Sequence, residues 1–297
     1  MGIRGPVLAA TGFSESGDEA LRQGHALAAA AGARFVVCHV LPELFQVRVL
    51  FPQDAGIDAA TQDELERKAA DALRTRIAAL FGSSANAVDV EIESGTTHAG
   101  ILATAERVRA ELIVVGAGRS ATRVARSASC PVLIARPSPA GGAVVGATDF
   151  SDPALPAVQM AADEARRRKA PLRLVHCLGL DQAADLATAG LAGMIPMAPL
   201  PLSVTERLES TARDRLNKAL AESRVAGEAV VLMQSAGAGI LEAAKTAPTS
   251  LIVVGTHGRS GFSRLALGSV AEDVINRAPC SVLVVRLDGH PPGSTTR

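Results

Sequence analysis

The stretch "VLAATGFS" (Val7–Ser14) returns as "VVGATDFS" (Val144–Ser151), and this recurrence decides the fold. An apolar run that breaks at Thr and turns into Ser reads as a buried strand handing over to a capped helix. Working outward, "VVCHVL" (Val36–Leu41) returns loosely as "RLVHCL" (Arg173–Leu178). "ELIVVGAG" (Glu111–Gly118) returns as "SLIVVGTHG" (Ser250–Gly258), and "CPVLIAR" (Cys130–Arg136) as "CSVLVVR" (Cys280–Arg286). Matches in the same order along both halves make two copies of one unit, each of domain rather than solenoid size. Between them "RPSPAGGA" (Arg136–Ala143) reads as a linker by its Pro and Gly. The expected domains are therefore 1–138 and 139–297, with "DGHPPGSTTR" from Asp288 a disordered tail.

Each copy reads as five strands alternating with four helices. In the first, strands are expected at Pro6–Ala10, Arg34–Leu41, Val88–Ile92, Leu112–Val115 and Val132–Ala135. Helices are expected at Ser14–Ala31, with Ser14 as N-cap and Gly32 as stop, and at Gln62–Leu80, Ala99–Arg109 and Ser120–Ser129. Strands that are apolar throughout, alternating with helices, imply a parallel α/β sheet covered on both faces. Ligands of such sheets bind at the carboxyl ends of strands, where the strand order switches.

Composition narrows the function. The 297 residues carry 30 Lys plus Arg against 30 Asp plus Glu, so charge makes no case for nucleic acid or an acidic membrane surface. With no Trp, no Tyr and seven Phe there is no platform for stacked bases. No apolar run approaches a membrane span, and the start of the chain shows no secretory pattern, so a soluble cytoplasmic protein is expected. Cys38, Cys130, Cys177 and Cys280 sit in or beside apolar runs and are expected as buried, reduced thiols.

The chemistry concentrates in "GTHGRSGFSRLALGSVAEDVINRAPC" (Gly255–Cys280). Gly255 ends a strand, Gly258 follows, and Gly268 and Ser269 close the loop. Glycines allow close backbone approach, and a helix N-terminus offers N–H groups and a favourable dipole to an anion. Ser269 with Glu272 spells a capping box, and Arg259 and Arg264 supply charge for phosphate. The plainer alternative is a glycine-rich turn with an ordinary cap. The pattern is neither a Walker loop nor a dinucleotide fingerprint.

Gly255, Gly258, Gly268 and Ser269 match G-x2-G-x9-G-[ST], and with the repeated strands this resembles the universal stress protein family over both halves. The resemblance implies two flavodoxin-like (HUP-type) domains in tandem, each a five-stranded parallel sheet with helices on both faces. It implies an ATP site in the copy that keeps the signature, with Mg2+ sometimes on the phosphates, and pairing through the last strand of each copy. Carried over by position, phosphates would lie on Gly258, Gly268, Ser269 and Val270, with Arg259 nearby and Gly255 shaping the pocket. The adenine and ribose end would meet Thr148, Asp149 and the backbone near Cys177. Asp149 also reads as a plain turn residue, and His257 as a solvent-facing side chain or a ligand contact.

The first copy departs from this pattern. "GAGRSATRVARSASC" (Gly116–Cys130) is eleven residues shorter than its counterpart, and the missing piece is expected to include the equivalent of Gly268. Ser120 is expected to replace Ser269 as cap, and Gly12 stands where the second copy has Asp149. Gly116, Gly118 and Ala121 imitate a dinucleotide fingerprint but follow a fourth strand rather than opening a first βαβ unit. His39 and His176 are expected as packed core histidines, and His98 as part of a loop that starts a helix.

The function expected is an ATP-binding regulatory protein of the stress response, with nucleotide in the second domain and a degenerate site in the first. A slow ATPase, or a scaffold in which ATP is structural, stays open; no residue evidently orients water for phosphoryl transfer. Expected partners are ATP, the other domain of the same chain, a second copy of the chain and a protein partner, without nucleic acid or membrane.

Overall fold

A computed structural model describes residues 3–41, 59–179, 201–256 and 267–286. The chain divides into two compact units, Gly2–Arg136 and Pro137–Arg297.

The first unit contains strands β1 (Val7–Ala10), β2 (Phe35–Leu41), β3 (Val88–Ser94), β4 (Leu112–Gly116) and β5 (Val132–Ala135). They are all parallel, in the order β3-β2-β1-β4-β5. Helices α1 (Glu15–Ala31), α2 (Ala59–Phe81), α3 (Thr97–Val108) and α4 (Arg119–Ser127) connect them. The second unit repeats the plan with β6 (Ala143–Ala147), β7 (Leu172–Cys177), β8 (Gly227–Leu232), β9 (Thr249–Gly255) and β10 (Ser281–Val285). Their parallel order is β8-β7-β6-β9-β10. Its helices are α5 (Leu155–Arg168), α6 (Leu202–Ser223), α7 (Ala236–Lys245) and α8 (Ser269–Arg277).

The doubly wound parallel sheet expected from the sequence is present in both halves. Every residue of β1 and β5 is buried. Neighbouring side chains on a strand point to opposite faces, so both faces of the sheet are covered. The order is 3-2-1-4-5, whereas flavodoxin itself has 2-1-3-4-5. The order in which strands are added therefore reverses between β1 and β4, and between β6 and β9, which opens a crevice at their carboxyl ends.

Local chemistry sets the element ends. Ser14 caps α1, accepting from the Gly17 N–H at 3.2 Å, and Gly32 ends it at φ 63°. That left-handed conformation costs glycine nothing and lets its N–H close on the last carbonyls. The capping box expected at Ser269 is absent. The N-cap of α8 is Gly268, with no side-chain hydrogen bond, and Ser269 is the first helical residue. Glu272 N–H instead makes the first helical bond, to the Gly268 carbonyl at 3.0 Å. The equivalent helix α4 is capped by Gly118, not Ser120.

Candidate functional site

Four separate segments meet at the β6/β9 crevice. The end of β6 contributes Thr148 and Asp149, β7 contributes Cys177, β9 contributes Gly255 and Thr256, and the start of α8 contributes Gly268, Ser269 and Val270. Together with Ala236 and Ile240 of α7 they line a cavity of about 230 Å³. Gly258 and Arg259 of the expected set, with His257 and Arg264, lie outside the described residues.

The turn after β6 places Asp149. Its Oδ1 accepts from Ser151 N–H at 3.0 Å and from Ser151 Oγ at 2.5 Å, an Asx turn that sets the carboxylate at the cavity edge. Asp149 is thus a turn residue, as one reading has it, and also part of the cavity lining. His176 does more than fill the core: it is 8% exposed and its Nδ1 donates to the Thr148 carbonyl at 2.8 Å. His39 makes the same bond to Thr11, also at 2.8 Å.

The helix end supplies the polar half of the cavity. Ser269, Val270 and Ala271 precede the first i→i−4 bond of α8, so their N–H groups belong to the orphan set of a helix start. Gly268 closes the wall by donating its N–H to the Thr256 carbonyl at 2.8 Å, and Thr256 N–H donates to Val285 at 3.0 Å. Dipole and N–H groups together suit an anion there. The rest of the lining includes the apolar Val175, Val254 and Ile240. Cys177 faces Gly239 of α7, where an added Cβ would stand 2.5 Å from the sulfur, so glycine lets the helix close on the strand. Cys177 and Cys130 are half-buried rather than buried as expected, because each lies where its strand or turn opens to a loop; Cys38 and Cys280 are buried.

Sequence reasoning missed Thr256, Ala236 and Ile240. For each the repeat supplies a counterpart, since Ala117, Thr97 and Ile101 occupy the equivalent places in the first copy.

The first copy also has a cavity at its switch point, of about 200 Å³, lined by Thr11, Gly12, Cys38, Gly116, Gly118 and Arg119 among others. Here the sequence expectation needs correction. Gly118 caps α4 as Gly268 caps α8, and both helices have nine residues with matching buried positions, Ala121 and Val124 against Ala271 and Val274. The shortening therefore removes the counterpart of residues 257–267 and keeps the glycine cap. Arg119 then falls where the second copy has Ser269. Burial pushes the Cys38 thiol up to about 11; its hydrogen bond to Thr104 acts against this, while Glu93 and Glu91 add to it. The thiol stays protonated and is no nucleophile at neutral pH.

Among the described residues no three His, Cys, Asp or Glu side chains gather as a metal set, and no helix is long and apolar enough to cross a membrane. Fold and cavities define a tandem of doubly wound α/β domains, each with a crevice at its switch point. The chain belongs to the universal stress protein family, whose model matches residues 4–136 and again 142–286. A universal stress protein A homolog of Coxiella burnetii is 32% identical over 135 residues, covering 45% of this chain and 86% of the relative. A universal stress protein of Mycobacterium tuberculosis is 30% identical over 194 residues, covering 60% of this chain and 62% of the relative. The crystal structure of a universal stress protein from Archaeoglobus fulgidus has the same fold, with a TM-score of 0.63 at 19% identity, covering 95% of this chain and 96% of that one.

Proposed function

We propose that the second domain binds ATP and that the protein acts as a nucleotide-dependent regulator in the stress response. The observation that carries this reading is the convergence of Thr148, Asp149, Cys177, Gly255, Gly268, Ser269 and Val270 on one cavity. Base and ribose would occupy the apolar lining and the Asp149 edge. Phosphates would lie along the α8 N-terminus, with Gly258 and Arg259 completing the loop and Mg2+ neutralising charge on the phosphates. The first domain, lacking the counterparts of both 257–267 and Asp149, would not hold ATP in the same way.

Calorimetric titration of the full chain with ATP and magnesium tests this, with one site per chain expected. Two equivalent sites would refute the assignment to the second domain, and no binding would refute the reading itself. Turnover under excess magnesium separates a regulator from a slow ATPase. Assembly, including a homodimer, rests on the family resemblance, which implies pairing through the last strand of each copy; short apolar strands with a bare edge invite such pairing. Measuring particle mass against concentration tests it.

A further inference from the structure

Both copies build the same small device where their first strand ends. A threonine hydroxyl accepts the N–H of the phenylalanine two residues on, at 3.1 Å for Thr11 and Phe13 and 3.0 Å for Thr148 and Phe150. Each phenylalanine is left-handed, at φ 61° and 62° respectively. A bulky residue stays in that region only when its surroundings impose it. The histidine on the neighbouring strand bonds the threonine carbonyl and lays its ring against the phenylalanine. Ring centroids are 4.6 Å apart for His39 and Phe13, and 4.3 Å for His176 and Phe150.

The two devices then differ. Over the Phe150 ring stands the guanidinium of Arg215, from α6, 4.2 Å from the centroid. Among the described residues no such cation stands over Phe13. Arg215 directly precedes the fully buried Leu216, and the residue that directly precedes the fully buried Leu73 of α2 is Ala72. Among the described residues the added cation thus accompanies the copy whose turn carries Asp149, and none stands over the ring in the copy where Gly12 replaces it.

We propose that His176 and Arg215 are positioning residues of the second domain's ligand site, holding Phe150 so that its neighbour Asp149 is presented at the cavity wall. The proposal rests on the nucleotide reading given above. If Phe150 relaxed to a right-handed conformation, the path from Thr148 to Ser151 would change. The Asx turn that fixes the Asp149 carboxylate would then come apart.

The test uses the full-length chain with Arg215→Ala, Arg215→Lys, His176→Phe and His39→Phe. Arg215 is exposed, so its alanine variant is expected to fold. Arg215→Ala should weaken ATP binding by about two- to fivefold, and Arg215→Lys should restore most of it, since lysine also sits over aromatic rings. His176→Phe should weaken ATP binding too. The matched His39→Phe should lower the thermal midpoint comparably while leaving ATP affinity unchanged. Wild-type affinity in Arg215→Ala, or equal losses from His39→Phe and His176→Phe, would overturn the proposal. Should the wild-type chain bind no ATP, the functional reading fails, and the positioning role is read from amide exchange in the free chain. Faster exchange at Phe150 and Ser151 in Arg215→Ala then supports it, and unchanged exchange overturns it.

Discussion

Replacing Gly268 by Val should separate the ligand site from the fold. Gly268 caps α8 at φ −64° and ψ 148°, a conformation open to any residue, so its dihedrals do not demand glycine. Space does: a Cβ there would stand 3.2 Å from the Thr256 carbonyl oxygen, and valine adds two methyl groups beyond it. These have to be accommodated at the wall of a cavity of only about 230 Å³. Valine is a poor N-cap, which costs about 1 kcal/mol, and the tight contact adds roughly 1 kcal/mol. For a domain of this size the midpoint should fall by about 4–8 °C without ligand. ATP at a hundred times its Kd should stabilise the wild-type chain by about 2.7 kcal/mol, an upward shift of about 5–11 °C. The variant should show no such shift. Thermal unfolding with and without ATP reads both effects in one experiment. A Gly268→Val chain that gains as much from ATP as wild type would refute the assignment of the phosphates to the α8 N-terminus.

Other outcomes follow from the caps and charges. Ser269→Ala should change the ligand-free stability by less than about 0.5 kcal/mol, because Ser269 makes no cap. Ser14→Ala should cost about 0.5–2 kcal/mol, measured by denaturant unfolding, because its hydroxyl does cap α1. Burial pushes the Glu164 carboxyl up, but Arg167 and Arg168 outweigh this and hold it below the usual range. A lowered carboxyl stabilises the fold above its unfolded pKa of about 4.3 and loses that contribution as pH falls through the folded value. Glu164→Gln should therefore lower stability by about 1–3 kcal/mol at pH 7, and by progressively less below about pH 4 in unfolding curves. An unchanged penalty at low pH would contradict this.

Strands and most helix ends were legible in the sequence because they depend on neighbours in the chain. The strand Val132–Ala135 and the cap pair Ser14 and Gly32 stand where the pattern puts them. The α8 start was misread by one residue. Ser followed three places on by Glu spells a capping box, but the chain arriving from Thr256 makes Gly268 the cap. Analogy with Ser269 put Ser120 in place of Gly118 at α4. Sequence alone cannot weigh which backbone N–H is tied to a distant carbonyl.

From the sequence alone came the tandem repeat, the parallel α/β class and the glycine signature, since periodicity and spacing are properties of a linear chain. Tertiary structure decided the rest of the site. The strand order puts β6 beside β9, bringing residues near 148, 177, 240 and 268 to one cavity. It also turned His176 from a core side chain into a tie on the Thr148 carbonyl, and made Arg215 a neighbour of Phe150. Such contacts join residues far apart in the chain, and no local propensity encodes them; they exist only once the sheet has set which strand lies beside which.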